Sequence, residues 1–134
     1  MGSYEFRYLE YNKQLYPVVP VSLTRLGHPV DTNALIDSGS STTVFKPEFA
    51  ALLGLHVERG RKISILGIDG EPLNAHAFSL ALTIPGTKEE MSCDVCFSRN
   101  LRCSFNILGR DSIFRYYDVL FKEKEKLVVL HDRA

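Results

Sequence analysis

The stretch ALIDSGSST, residues 34–42, places a carboxylate directly after an apolar run and surrounds it with small, hydroxyl-bearing residues. The apolar run predicts a buried strand, so Asp37 would stand where that strand ends. An acid in this place can serve as an ordinary turn residue that bonds nearby backbone amides. It can also serve as a general acid or base if a second carboxylate shares the site. The local sequence leaves both interpretations open.

Three features, taken in order along the chain, resemble the retropepsin-like aspartic proteases. Residues 36–41, IDSGSS, are similar to the Asp-Thr/Ser-Gly signature of that family. Downstream, Ile107-Leu108-Gly109 followed by Arg110-Asp111 resembles the second half of the signature. Between them, residues 66–70 form a glycine-bearing segment where the family carries its flap. The resemblance covers most of the chain.

The resemblance implies a mostly β fold: a closed or partly open acid-protease barrel with a flap hairpin and one or two short helices, assembled as a homodimer. The 134 residues are expected to form a single retropepsin-like domain, 1–134. Alternation and turn residues predict the elements independently. Strands are predicted at 4–11, 17–25 and 31–37, a turn at 26–31, helices within 44–55 and 110–117, and hairpins about Asp69-Gly70, about Pro85-Gly86 and over 118–132.

The reaction implied by this resemblance requires two carboxylates, and this sequence can supply them in only one way. Aspartic proteases activate a water molecule between two carboxylates that share one proton, because like charges some 3 Å apart resist ionising together. No second Asp-Ser-Gly or Asp-Thr-Gly occurs, since Asp111-Ser112 lacks the glycine. One chain therefore supplies half a site, and catalysis requires a twofold homodimer in which two copies of Asp37 meet.

The other roles in the signature follow by resemblance. Ser38 is expected to bond across the twofold axis to the partner backbone, and Gly39 to permit close approach and donate its amide to the carboxylate. The Ser40 hydroxyl is expected to bond the outer oxygen of Asp37. Because a hydrogen bond to the charged form lowers a carboxyl pKa, Ser40→Ala is expected to move the activity optimum to higher pH.

Residues 107–110 are expected to support the site from behind. Ile107, Leu108 and Gly109 resemble the apolar strand that passes behind the catalytic loop, where their role is packing. Arg110 is either a structural arginine that braces the fold or the dimer, or part of a solvated helix start with Asp111 in its first turn.

Residues 67–70, Gly67-Ile68-Asp69-Gly70, are expected to form the flap tip that closes over an extended substrate through main-chain hydrogen bonds. Asp69 and Glu71 add two carboxylates there. Either the hairpin simply turns in solvent, or these acids disfavour acidic peptides. Apolar side chains at Ala34, Ile65, Ile68 and Leu108 are the expected liners of the cleft.

Composition and charge narrow the remaining classes of function. Lys plus Arg and Asp plus Glu number 16 each, so nothing favours nucleic acid or an anionic membrane as a partner. Charges interrupt the N-terminal segment, and no window is long and apolar enough to span a membrane, so a soluble, intracellular, cytoplasmic protein is expected. Cys93 and Cys96 would point to opposite faces of one strand, which favours buried thiols over a zinc or redox site.

The sequence therefore predicts an aspartic endopeptidase that acts on a peptide or protein substrate without a metal or cofactor. The alternative is a catalytically weak or inactive retropepsin-like module that binds peptides or mediates dimerisation.

Overall fold

Twelve short strands and two short helices make up the computed structural model, which describes residues 2–67 and 69–133. The strands are β1 Ser3–Arg7, β2 Leu9–Tyr11, β3 Gln14–Tyr16, β4 Val18–Arg25, β5 His28–Ile36, β6 Thr43–Phe45, β7 Arg61–Leu66, β8 Pro72–Thr83, β9 Glu90–Phe97, β10 Asn106–Leu108, β11 Tyr117–Lys122 and β12 Leu127–Asp132. The helices are α1 Pro47–Leu52 and α2 Ile113–Tyr116, and a single 3-10 turn spans Val57–Arg59.

Six of these strands close into a barrel. They pair in the circuit β4-β5-β10-β6-β9-β8, and β8 returns to β4 through the register Ser22↔Thr83, Leu23↔Leu82 and Thr24↔Ala81. Closing the circuit leaves no unpaired edge among the six strands at that seam. The main core includes Leu23, Phe45, Leu82, Val95 and Leu108, each fully buried. The predicted mostly β barrel is therefore confirmed.

Two pairs in this barrel are parallel, and one of them positions the site. Strand β10 runs parallel to β5 with Leu35 opposite Ile107 and Ile36 opposite Leu108. Because the carboxyl ends of parallel strands lie at the same edge of a sheet, the residues after Ile36 and after Leu108 emerge side by side.

Strand β7 extends the barrel sheet through β8 alone, with its last paired residues at Leu66 and Pro72. The loop of this hairpin is therefore 67–71, longer than the two-residue turn predicted at Asp69-Gly70. The Asp69 carboxylate accepts a hydrogen bond from the Glu71 amide at 2.9 Å, and Gly70 has φ +81°. Ile68, predicted for the flap tip, lies outside the described residues.

The N-terminal strand predicted at 4–11 is wrong in its extent. It ends at Arg7, because Tyr8 turns into the core: its amide donates to the Lys126 carbonyl and its hydroxyl to Glu123. The chain then forms the unpredicted β2–β3 hairpin, whose turn residues Asn12 and Lys13 both have positive φ, as type I′ turns require.

The turn predicted at 26–31 is also shorter in the structure. Leu26 and Gly27, with φ of +52° and +76°, form a two-residue turn, and β5 already begins at His28. Val44 and Phe45, predicted as the start of a helix, belong to β6, and α1 begins at Pro47. The hairpins about Pro85-Gly86 and over the C-terminal segment are present as β8–β9 and β11–β12.

The two cysteines of β9 lie on opposite faces, as predicted. Cys93 packs against the main core and Cys96 belongs to a second cluster with Val44, Ala75 and Ile107. Burial raises the pKa of each thiol to about 12, so both remain protonated. Within the described ranges, no helix is long and apolar enough to cross a membrane.

Candidate active site

Asp37 stands at the end of β5, where the parallel pairing with β10 finishes. Its backbone amide donates to the Leu108 carbonyl at 3.0 Å, so the β5–β10 contact reaches one residue beyond the strand. The side chain of Asp37 is half-buried. The buried end of β5 therefore delivers an acid to the surface of the barrel end.

The residues that follow, 37–42, form a tight turn that we call the Asp37 loop. The Gly39 amide donates to Asp37 Oδ1 at 2.9 Å, and the Ser40 amide donates to the Asp37 carbonyl at 3.2 Å. The other carboxylate oxygen has no hydrogen bond within the described residues. Ser38 and Gly39 are exposed beside it. The loop thus fixes one oxygen of the acid and leaves the other available.

The Ser40 hydroxyl has a different partner from the one that the sequence suggested. It donates to the Thr42 carbonyl at 2.7 Å and not to the Asp37 carboxylate. A hydroxyl has a single proton, so this bond leaves none for the acid. Ser40 braces the loop, and the expected effect of its hydroxyl on the pH optimum does not follow from this geometry.

Gly109 lies where the end of β10 presses against the Asp37 loop. A Cβ there would lie 2.9 Å from the Ser40 carbonyl oxygen and closer still to the Thr42 carbonyl group. The next residue, Arg110, donates its amide to the Ser40 carbonyl at 2.8 Å. Only glycine permits this approach, and the approach ties the loop to the strand behind it.

A buried hydroxyl at Thr43, directly after the Asp37 loop, also bonds the residues that follow β10. The Gly109 amide donates to Thr43 Oγ1 at 3.2 Å, and Thr43 Oγ1 donates to Asp111 Oδ1 at 2.6 Å. Ser112 Oγ lies 2.7 Å from Thr43 Oγ1. Since the single Thr43 proton goes to the carboxylate, Ser112 is the donor in that pair. Thr43 and Ser112 are both fully buried.

Sequence reasoning missed Thr43 and Ser112. Both are polar residues at fully buried positions, and such groups are almost always hydrogen-bonded. The signal available in the sequence was a hydroxyl directly before the apolar pair Val44-Phe45, but nothing in the sequence indicates that its partner lies 68 residues downstream.

Asp111 belongs to this buried network and not to a solvated helix start, since α2 begins only at Ile113. Burial raises the pKa of Asp111, and the hydrogen bonds from Thr43 offset only part of that rise. The nearby charge of Asp94 acts in the same direction as burial.

Two clefts meet at Asp37. The wider one, of about 700 Å³, lies between the β7–β8 loop and the segment before β10; its lining is Asp37, Gly67, Asp69, Glu71, Pro72, Leu73, Asn100, Leu101, Arg102, Cys103 and Ile107. The narrower one, of about 360 Å³, runs between the Asp37 loop and β7; its lining is Asp37, Gly39, Ser40, Ser41, Thr42, Ser64, Ile65, Leu66 and Gly67. The acid and Gly67 are common to both.

The remaining predicted residues lie in the core, in the two clefts or at the surface. Ala34 and Leu108, expected to line the cleft, are wrong in that role because both are fully buried in the main core. Ile65 does line the narrower cleft, and Ile107, expected to act by packing alone, also lines the wider one. Gly70 is exposed at the tip of the β7–β8 loop and lines neither cleft.

Arg110 contributes its backbone amide to the site, whereas its side chain is exposed. Within residues 2–67 and 69–133, the guanidinium makes no ion pair and no hydrogen bond. A bracing role within the chain is therefore not supported by its contacts.

The comparisons with known proteins agree with this geometry. A family profile described as Aspartyl protease matches residues 19–111, a span that contains Asp37, the β7–β8 hairpin and Gly109. The chain belongs to this aspartyl protease family. A retropepsin-like aspartic protease from Rickettsia conorii has a similar structure, with a TM-score of 0.71 and 16% sequence identity over 97% of this chain and 99% of that one. The fold is therefore retropepsin-like. A search of curated protein sequences gives no significant match.

We expect Ser40→Ala to lower the free energy of unfolding by about 1 kcal/mol, because the Thr42 carbonyl loses its hydroxyl partner. The pH dependence of any peptidase activity should stay where it is in the wild type. Urea denaturation and a pH–rate profile measure the two effects, and a profile moved to higher pH would mean that the hydroxyl does bond the acid.

Gly109→Ala should destabilise the fold by about 2–3 kcal/mol, since the new methyl group meets two carbonyl groups that are themselves hydrogen-bonded. Gly86→Ala is the matched control: its Cβ would meet open space, but its φ of +92° disfavours alanine by about 1 kcal/mol. Equal losses for the two variants in urea denaturation would contradict the close packing at Gly109.

Asp111→Asn should stabilise the fold more at neutral than at acid pH. The folded-state pKa of Asp111 is raised, so its proton stabilises the folded wild type below the unfolded-state pKa of about 3.9. This stabilisation is lost as the pH rises through the folded-state pKa. Asparagine keeps an acceptor for Thr43 without a charge. Stability curves from pH 3 to 8 test this, with Asp31→Asn, an exposed site in β5, as the control. A gain that does not grow with pH would refute it.

Proposed function

We propose that this protein is an aspartic endopeptidase whose active site forms when two chains pair about a twofold axis. Each chain supplies one Asp37, and the two carboxylates share one proton and activate a water molecule for attack on a peptide bond. The observation that carries the proposal is the position of Asp37: a half-buried acid, anchored through one oxygen, at the junction of two clefts.

The proposal needs a second chain because the described part of one chain offers no partner acid for Asp37. Within the described residues, no other carboxylate bonds to the Asp37 loop. Asp69 and Glu71 share the wider cleft, but the Asp69 carboxylate bonds the backbone of its own loop. The exposure of Ser38 and Gly39 beside Asp37 leaves room for an identical loop to approach, as a twofold interface requires.

Arg110 fits the same assembly. Its backbone amide contacts the Asp37 loop, and its side chain is exposed with no acidic partner within the described ranges. A planar, always charged group in that place can bond the backbone or acids of the second chain. We therefore assign the predicted brace to the dimer and not to the chain itself.

The β7–β8 hairpin supplies the flap in this scheme. Its first loop residue, Gly67, lines both clefts beside Asp37, and β7 pairs with β8 along one edge only. An extended peptide lying between the hairpin and the Asp37 loop can bond to main-chain groups of the tip. The residues that hold the water and those that hold the peptide thus face each other across the cleft.

The test is digestion of a diverse peptide pool between pH 3 and 7 with the wild type and Asp37→Asn. We expect internal cleavage by the wild type and a loss of about a hundred- to ten-thousandfold in the variant, because the asparagine amide cannot share the proton. Equal cleavage by both proteins would refute the assignment. Peptide binding without cleavage by either would favour the alternative, a retropepsin-like binding module.

Mixing tests the shared site directly. When one equivalent of Asp37→Asn is added to a fixed amount of wild type and the chains exchange at random, about half of the activity should remain, since half of the wild-type chains then pair with a variant chain. A monomer in sedimentation at assay concentration, or unchanged activity after complete exchange, would remove the basis for a dyad formed by two chains.

A further inference from the structure

We propose that the wider cleft selects substrates with a lysine or arginine side chain near the cleaved bond, and that Glu71 is the residue that determines this preference. The inference rests on the proposed function, because it concerns the peptide bound in the cleft that contains Asp37. It gives the acids at the tip of the β7–β8 loop a role that the sequence left open.

The charges of the two clefts differ. The wider cleft has three carboxylates, those of Asp37, Asp69 and Glu71, and one guanidinium, that of Arg102. In the narrower cleft, Asp37 is the only charged residue of the lining, and the others are small, hydroxyl-bearing or apolar. A net negative charge in a concave site attracts cations and raises their local concentration.

Arg102 does not cancel the acids by direct pairing. Across the described residues, the ion pairs within 4 Å are Arg61–Asp94, Arg99–Glu58, Lys126–Glu123 and Arg133–Asp118. Arg102 and Glu71 are both exposed and belong to none of them. The carboxylate of Glu71 is therefore available to a ligand.

Glu71 is held in place more firmly than an ordinary surface acid. Its amide donates to Asp69 Oδ1 at 2.9 Å, and its carbonyl accepts the Gly67 amide at 3.0 Å. Both backbone groups are thus fixed by the turn, and only the side chain remains free to bind. The Asp69 carboxylate, in contrast, is engaged in forming that turn, so its removal would disturb the loop as well as the charge.

The more buried part of the lining, which we call the floor of the wider cleft, is apolar and includes Leu73, Leu101 and Ile107. Asp69 and Glu71 are exposed and form its acidic rim. Successive side chains of an extended peptide point to opposite sides. A peptide with an apolar side chain on this floor can therefore place a neighbouring basic side chain at the acidic rim. In the twofold assembly each chain contributes one such rim, so the preference should occur on both sides of the cleaved bond.

Cleavage profiling of a peptide pool at low salt and near neutral pH tests the proposal. For the wild type, we expect lysine and arginine to exceed aspartate and glutamate within three positions of the cleaved bond by about fivefold, the size expected for an exposed ion pair. Glu71→Gln should remove most of this preference, and Glu71→Lys should reverse it. Raising the salt to 1 M should weaken it, because the charges are screened.

Glu90→Lys is the matched control, since Glu90 is an exposed acid at the start of β9 and lines neither cleft. It should leave the profile unchanged. Cleavage by the wild type without a basic preference, or a preference that persists in Glu71→Lys or changes equally in Glu90→Lys, would overturn the inference and leave the proposed function intact.

Absence of cleavage by every variant would instead defeat the proposed function, and binding would then decide the inference. Fluorescence anisotropy compares one apolar peptide carrying two lysines with the same peptide carrying two glutamates, using wild type and Glu71→Lys. Tighter binding of the lysine peptide by the wild type, reversed in the variant, supports an acidic specificity site. Equal binding of the two peptides refutes it.

Discussion

The close approach of Gly109 to the Ser40 and Thr42 carbonyl groups is the contact on which the arrangement of the site depends. It brings the end of β10 against the Asp37 loop, and no residue with a side chain fits between them. Once the two backbones are this close, the Arg110 amide reaches the Ser40 carbonyl and the Gly109 amide reaches the Thr43 hydroxyl. The loop that carries the acid is thus held by backbone contacts, which do not depend on the rotamers of long side chains.

The buried Thr43 network supplies hydrogen-bond partners for groups behind the Asp37 loop. A fully buried hydroxyl both accepts and donates, so Thr43 links the Gly109 amide to the Asp111 carboxylate through two hydrogen bonds. Asp111 ends the chain of bonds at a half-buried position, where its charge is costly but its acceptor atoms are needed. The network lowers the free energy of unfolding at neutral pH but fixes the geometry behind the loop.

The parts of this structure that could be predicted from the sequence are those specified locally. The apolar run before Asp37, the glycine at 109 and the hairpins at Gly70 and Gly86 each have a signal within a few residues. The partner of Ser40, the burial of Asp111 and the bend at Tyr8 are decided by groups that lie far along the chain or that compete for one proton. The β2–β3 hairpin was missed for another reason: Asn12-Lys13 adopts a conformation that usually calls for glycine at its second position.

The twofold assembly that we propose joins the specificity of the cleft to its chemistry. Two chains would bring two copies of Asp37, Asp69 and Glu71 around one bound peptide, against two copies of Arg102. The pairing that would bring the two Asp37 carboxylates together would therefore also place acidic side chains on both sides of the cleaved bond. A basic side chain of the peptide would then meet an acidic side chain whichever side of the cleaved bond it occupied.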